Sequence, residues 1–323
     1  MKIYSKENVI SSVNAMIRTG RLPHAFLLFG ERGTGKKTLA EYIAMLILCE
    51  NGTACGACRH CRRIHANTHP DVIRPERSGK SLIYRRETVR DICSDAFIRP
   101  NDCDRKIYIF ADCENMEEGT QNLMLKLIEE PPDHAYFIFT ASGKSAFLPT
   151  ILSRVIALGV SECSEQECRE ALADMGRYSA EQIDEAVSCF HGNIGSCIDY
   201  LDGKDIASYV EITKKIVGGI ISGDEYIILK ALNDIGDNRE KIKEILSMTD
   251  KVVRDGCILR LNSEGNSIRL TGCYPHGAEL LSQGMSFRRA QAVHEALCSA
   301  ARQCESNVNT AAAMSALCGM LAG

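Results

Sequence analysis

Apolar residues in the first half of this chain follow two periods. Val9, Ile10, Val13, Met16 and Ile17 recur at helical spacing, with Ser5 placed to cap the helix and Gly20 to stop it. Phe26-Leu-Leu-Phe29, Lys106-Ile-Tyr-Ile-Phe110 and Tyr136-Phe-Ile-Phe-Thr140 are short unbroken runs, which predict buried strands. His69-Pro-Asp-Val-Ile-Arg74 opens a further short strand, broken by the polar turn Arg77-Ser-Gly-Lys80. Helical spacing returns in Leu39, Ile43, Leu46 and Ile47, then in Val89, Ile92 and Phe97 behind a Thr88 cap. It recurs in Leu123, Met124, Leu127 and Ile128 before the stop at Pro131-Pro132. Strands alternating with helices predict an α/β domain, a parallel sheet covered by helices on both faces.

Beyond Val160 only helical periods remain. Ser164-x-x-Glu167 and Ser179-x-x-Gln182 read as capping boxes, the second opening a helix with Ile183, Val187 and Phe190 that ends at Gly192. Four or five more helical patterns follow, including 206–221, 242–261 and 287–301. The chain thus divides into an α/β domain over 1–160, a small helical domain over 161–203 and an all-helical domain over 204–323.

Composition narrows the class. With 323 residues, 45% hydrophobic and 25% charged, the chain is globular and long enough for two or three cores. A net charge of −4 argues against coating nucleic acid alone. No apolar run reaches membrane-spanning length and Met-Lys-Ile-Tyr-Ser-Lys-Glu is no signal peptide, so a cytoplasmic protein without membrane contact is expected. Most of the 16 cysteines should then be reduced, a tight cluster excepted.

Chemistry concentrates where the first strand meets the next helix. Gly30-x4-Gly35-Lys36, with Gly33 and Thr34 between, has the spacing of a phosphate loop: glycines turn backbone N–H groups toward an anion and Lys36 adds a point charge. The alternative is a strand-to-helix turn using glycine for geometry alone. The next position, normally Ser or Thr to hold Mg²⁺, is Lys37, and Thr38 lies about 100° further round the helix. The strand ending at Phe110 continues into Ala111-Asp112, where such ATPases carry two acids, and Glu114 stands two residues further on. Both halves of a Mg²⁺ site have lost groups, so bound ATP is not expected to be hydrolysed.

Cys49-x5-Cys55-x2-Cys58-x2-Cys61 supplies four thiols within thirteen residues, with Gly52 and Gly56 allowing a tight return, which predicts a structural Zn²⁺ site. His60 and His65 are read as spare. An iron–sulfur cluster is the alternative, disfavoured by the flanking Arg59, Arg62 and Arg63. His24 reads as a packed or solvated histidine. The Arg85, Arg86, Arg90 cluster, lacking interleaved aromatics, reads as solvated or partner-facing surface.

Taken together, Leu22-Pro-His-Ala-Phe-Leu-Leu-Phe-Gly30, the four-cysteine insert, Leu123-Met-Leu-Lys-Leu-Ile-Glu-Glu-Pro-Pro132 and Leu148-Pro-Thr-Ile-Leu-Ser-Arg154 resemble the bacterial clamp-loader ATPases of the DNA polymerase III holoenzyme. The resemblance is close over 1–160 and architectural beyond, and nearer to the delta-prime branch than to the gamma/tau motors. It implies an AAA+ module with a zinc insert, a small helical lid and a C-terminal helical collar. The implied partners are gamma/tau and delta-type subunits in a hetero-pentamer, the sliding clamp, and DNA through the assembly. By the same resemblance Ser142 would be the polar sensor and Arg154 the arginine finger, while Val155 replaces the family's usual cysteine. Ile198, in Gly195-Ser-Cys-Ile-Asp199, stands where the motors carry a second-sensor arginine. The expectation is a bacterial, non-hydrolysing stator that completes a neighbour's active site; the alternative is a working gamma/tau-like ATPase using Thr38, Asp112 and Glu114. A zinc-containing AAA+ scaffold outside replication is a third reading.

Overall fold

The computed structural model describes residues 2–79, 82–261, 270–304 and 309–323. Two compact units divide the chain, residues 1–163 and 164–323.

The first unit runs α1 (Glu7–Arg18), β1 (Ala25–Phe29), α2 (Lys36–Leu48), α3 (Arg59–His65), β2 (Val72–Ile73), α4 (Arg86–Asp95), β3 (Lys106–Phe110), α5 (Glu118–Glu129), β4 (Ala135–Ala141), α6 (Pro149–Leu152) and β5 (Ile156–Gly159). The strands form one sheet in the order β2-β3-β4-β1-β5, and every pairing is parallel. The unbroken apolar runs follow from burial on both faces. Phe26, Leu28, Ile107, Ile109 and Ile138 join α1 and α2 through Val13, Leu39 and Ile43 in one core. Leu27, Tyr108, Phe110, Phe137 and Phe139 join α4 and α5 through Val89, Met124 and Leu127 in the other. On that second face, cross-strand aromatic pairs lock the register: Tyr108 stacks on Phe137 at 5.2 Å between centroids and Phe110 on Phe139 at 5.3 Å.

Several local expectations shift. Ser5 is no cap: it takes φ 53°, Lys6 precedes the helix, and the Lys6 ammonium turns to the Ser161 carbonyl. Thr88 lies inside the first turn of α4, which Arg85 precedes, and Phe97 falls beyond the helix end, exposed. Lys80 of the predicted turn lies outside the described residues. The edge strand β5, with Ile156 exposed, was not anticipated.

The second unit is all helical: α7 (Glu165–Ala173), α8 (Ala180–Phe190), α9 (Ile194–Leu201), α10 (Asp205–Ser222), α11 (Glu225–Asn233), α12 (Arg239–Leu261), α13 (Pro275–Gly284), α14 (Phe287–Gln303) and α15 (Thr310–Ala322). Both capping boxes form as expected, at Ser164 with Glu167 and at Ser179 with Gln182. The chain leaves α8 at His191, φ 52°, rather than at Gly192. One apolar cluster, including Val210, Ile216, Ile245, Val293 and Leu317, ties α10, α12, α14 and α15 together. Among the described residues no helix is long and apolar enough to cross a membrane.

Candidate phosphate loop and zinc centre

β1 delivers the chain to Gly30, where the backbone passes so close to the start of the next segment that a Cβ would sit 2.1 Å from the Val160 carbonyl oxygen. Gly33 and Gly35 both take φ 84°; Gly35, directly before α2, holds a left-handed conformation that side chains resist. The loop therefore turns as the motif requires. Lys36 is buried and curls back over it, donating from Nζ to the carbonyls of Gly30 and Glu31, each at 2.7 Å. Burial lowers its pKa, against the pull of Glu114 and Asp112. Thr34 Oγ1 donates to the same Glu31 carbonyl at 2.8 Å, and Thr38 is exposed on α2.

The acidic side of the site comes from the ends of β3 and β4. Asp112 takes φ 52°, its N–H bonded to Thr140 Oγ1 at 2.9 Å, and Tyr84 donates to the Ala111 carbonyl at 2.7 Å. Ser142 donates to Glu114 Oε1 at 2.6 Å, which joins the end of β4 to the turn that follows β3. Lys37 Nζ lies 2.5 Å from Asp112 Oδ2, and Arg77 Nη2 lies 2.9 Å from the same oxygen. With Ala111 in place of the first acid and Lys37 in place of the hydroxyl, Asp112 is the carboxylate left at the end of β3 to attract Mg²⁺. It meets an ammonium and a guanidinium instead, so the residues present do not fit Mg²⁺. Arg77 had no sequence signal, since it reaches Asp112 from a polar turn far away in the chain.

Arg154 follows α6 and is half exposed. Its Nη2 pairs with Glu129 Oε1 at 2.8 Å, and its Nη1 donates to the Thr150 carbonyl at 2.7 Å and to Ser153 Oγ at 2.9 Å. It lies at the start of β5, and the phosphate loop follows the end of the paired strand β1.

The four cysteines converge. Their Sγ atoms all lie within 4.8 Å of one another. Cys49 follows α2, Gly52 and Gly56 turn the chain back with φ 64° and 69°, and Cys58 caps α3 by accepting from the Cys61 N–H. A chain of N–H···S contacts links them: Cys55 to Cys49 at 3.5 Å, Cys58 to Cys55 at 3.3 Å, Cys61 to Cys58 at 3.4 Å. Burial opposes ionisation of Cys49, but the N–H groups of Cys55, Thr53 and Asn51 outweigh it and bring its pKa down to about 6. Burial pushes Cys61 up. Four sulfurs at this spacing, with donors stabilising thiolate, fit a closed tetrahedral zinc site.

His60 is not spare. Its Nδ1 lies 2.9 Å from His69 Nε2 and 3.2 Å from Cys103 Sγ. His69 Nδ1 accepts the Asp71 N–H at 3.1 Å, which puts the proton of the neutral ring on Nε2, facing His60. In that tautomer His69 offers no lone pair to a metal, and the trio is a hydrogen-bonded buttress behind the cysteine insert. Asp71, fully buried, holds the segment carrying Cys103 in place by accepting from Asn101 N at 2.6 Å, Asn101 Nδ2 at 3.1 Å, Asp102 N at 2.7 Å and Cys103 N at 3.1 Å. On the second unit Asp250 meets His294 Nδ1 at 2.7 Å, but Cys298 Sγ lies 3.7 and 3.8 Å from the two ring nitrogens, in line with neither lone pair.

A parallel sheet with a phosphate loop between β1 and α2, followed by an all-helical unit, defines an AAA+ protein. A solved DNA polymerase III gamma subunit-related protein from Thermotoga maritima shares this fold, with a TM-score of 0.52 at 14% identity over 97% of this chain and 98% of that one. The family model described as DNA polymerase III, delta subunit, matches residues 5–164. The delta' subunit of Pseudomonas aeruginosa is 35% identical over 150 residues, 45% of this chain and 43% of that protein. The tau subunit of Escherichia coli is 28% identical over 173 residues, 53% of this chain and 26% of that protein. Through this region the chain belongs to the AAA+ clamp-loader family.

Proposed function

We propose that the chain is a delta-prime-like subunit of a bacterial, cytoplasmic DNA polymerase III clamp loader: a stator that hydrolyses no ATP itself and stabilises, through Arg154, the charge on ATP bound by a neighbour. The observation that carries this reading is the pair of cations on Asp112 Oδ2, Lys37 at 2.5 Å and Arg77 at 2.9 Å, which neutralise the one acid left where a working motor carries two. An arginine finger needs no metal site of its own, and Arg154 is half exposed on a loop end, held by surface contacts that a stronger anion can displace. In the same reading the four-cysteine insert holds structural zinc, Gly30, Gly33, Thr34, Gly35 and Lys36 form a passive nucleotide cradle with Ser142 beside it, and residues 161–203 and 204–323 serve as lid and collar. The partners would be gamma/tau and delta-type subunits, the sliding clamp, and DNA through the assembly.

Reconstitution with gamma/tau and delta-type subunits tests it. The expected result is a complex that needs this chain for clamp loading and loses ATPase when Arg154 becomes Ala, with the purified chain inert toward ATP and Mg²⁺. Brisk turnover by the chain alone would favour the motor reading.

A further inference from the structure

We propose that the phosphate loop takes a nucleoside di- or triphosphate without any divalent cation, Lys37 and Arg77 together supplying the two positive charges that Mg²⁺ supplies elsewhere. The inference rests on the reading of Gly30 to Lys36 as a phosphate cradle.

Charge sets the requirement. A polyphosphate held against a loop of N–H groups still carries charge on its outer oxygens, which phosphate-loop proteins neutralise with Lys and a magnesium ion. Here the first acid is Ala111, and two monovalent cations already stand on the one carboxylate that remains at the end of β3. Lys37 projects from the first turn of α2, directly after Lys36, so its ammonium is tethered beside the loop. Arg77 comes from the other side, and its planar fork is suited to two phosphate oxygens at once.

Competition is the second step. A divalent ion entering this site must displace both cations from Asp112 and then share the space with them, which Coulomb repulsion opposes. A polyphosphate faces no such conflict: it can take Lys37 and Arg77 as partners while Asp112 stays nearby as their shared counter-ion. The other charged groups around Lys36 do not restore a metal site. Glu114 accepts from Ser142 at 2.6 Å, and Glu31 belongs to the loop itself, its carbonyl taken by Lys36 and Thr34. Lys36, now on the Gly30 and Glu31 carbonyls, is free to exchange them for phosphate oxygens, which attract an ammonium more strongly.

The test is a fluorescence titration of the full chain with N-methylanthraniloyl-ADP, once in EDTA and once in excess Mg²⁺. The expected dissociation constants agree within about threefold. Lys36→Ala should abolish binding in both buffers, and Arg77→Gln should weaken it about tenfold in both. Lys37→Thr, which installs the missing hydroxyl at an exposed position, should bind at least tenfold more tightly with Mg²⁺ than in EDTA. Wild-type binding that needs Mg²⁺, or gains tenfold from it, overturns the metal-free site and leaves the cradle intact. Absence of binding in both buffers, or binding that survives Lys36→Ala, overturns the cradle as well.

Discussion

Arg154 and Glu129 meet at 2.8 Å, the end of α6 against the end of α5, so the guanidinium is parked on its own subunit. Both side chains are substantially exposed, and the pair contributes about 0.2–1 kcal/mol at most. Replacing Arg154 by Ala should therefore leave the melting temperature and the assembly, followed by gel filtration, almost unchanged. ATP turnover at the one adjoining active site should drop on the order of a thousandfold. Arg154→Lys should not rescue it, because a lysine lacks the two-pronged geometry. Unaltered steady-state hydrolysis in the R154A complex would rule out the finger role.

The zinc prediction concerns stoichiometry. Metal analysis of the purified chain should give about one zinc per molecule. Cys58→Ser takes one thiolate from the proposed set while its hydroxyl can still cap α3, so the metal content should fall toward zero and any earlier melting of the first unit reports the lost metal rather than a lost cap. Iron with a visible charge-transfer absorbance would replace the zinc assignment by a cluster.

Asp71 gives the pH dependence. Burial alone would raise its pKa, but the N–H groups of Asn101, Asp102 and Cys103 and the Asn101 side chain hold it below the ordinary 3.8. A depressed carboxyl contributes stability that is complete above its unfolded value and fades as pH falls through the folded one. Urea midpoints should thus hold steady above pH 5 and decline below about pH 4. Asp71→Asn should lower stability by about 2–3 kcal/mol at pH 7 and flatten that acid decline. An unchanged acid limb in D71N would show that other carboxylates set it.

Two glycines of the loop should respond differently. Gly30→Ala drives a methyl into the Val160 carbonyl and must part β1 from β5, a cost of about 1–3 kcal/mol or more, visible in denaturant melts. At Gly35 a Cβ meets nothing within 4 Å, so Gly35→Ala costs only the strain of φ 84°, about 1–2 kcal/mol. Equal losses at the two sites would contradict the close approach described for Gly30.

Residues acting through local pattern were legible in the sequence. The strands showed as unbroken apolar runs because both sheet faces are covered, and the capping boxes at Ser164 and Ser179 are complete within four residues. The spacing of Cys49, Cys55, Cys58 and Cys61 likewise announced their convergence. What escaped was either half-exposed or non-local. β5 has an exposed Ile156 and only four residues, so its period carried little signal. Arg77 meets Asp112, and His60 meets Cys103, across separations set by the crossover between β2 and β3, while His60 meets His69 across the loop between α3 and β2. Lys37 was legible as the loss of a hydroxyl; its contact with Asp112 depends on how α2 packs beside β3, which no local pattern encodes.

The pairing of β1 with β5 sets Phe26 beside Ile156 and Phe29 beside Gly159. It acts as a caliper. One jaw is the turn that follows Phe29, the other is the arginine just ahead of β5, and they stand beyond opposite ends of the paired segment, farther apart than its length of about 13 Å. Inserting a residue in either strand would shift one jaw without the other, so the position of the glycine turn and that of the arginine are tied together by the register of a single strand pair.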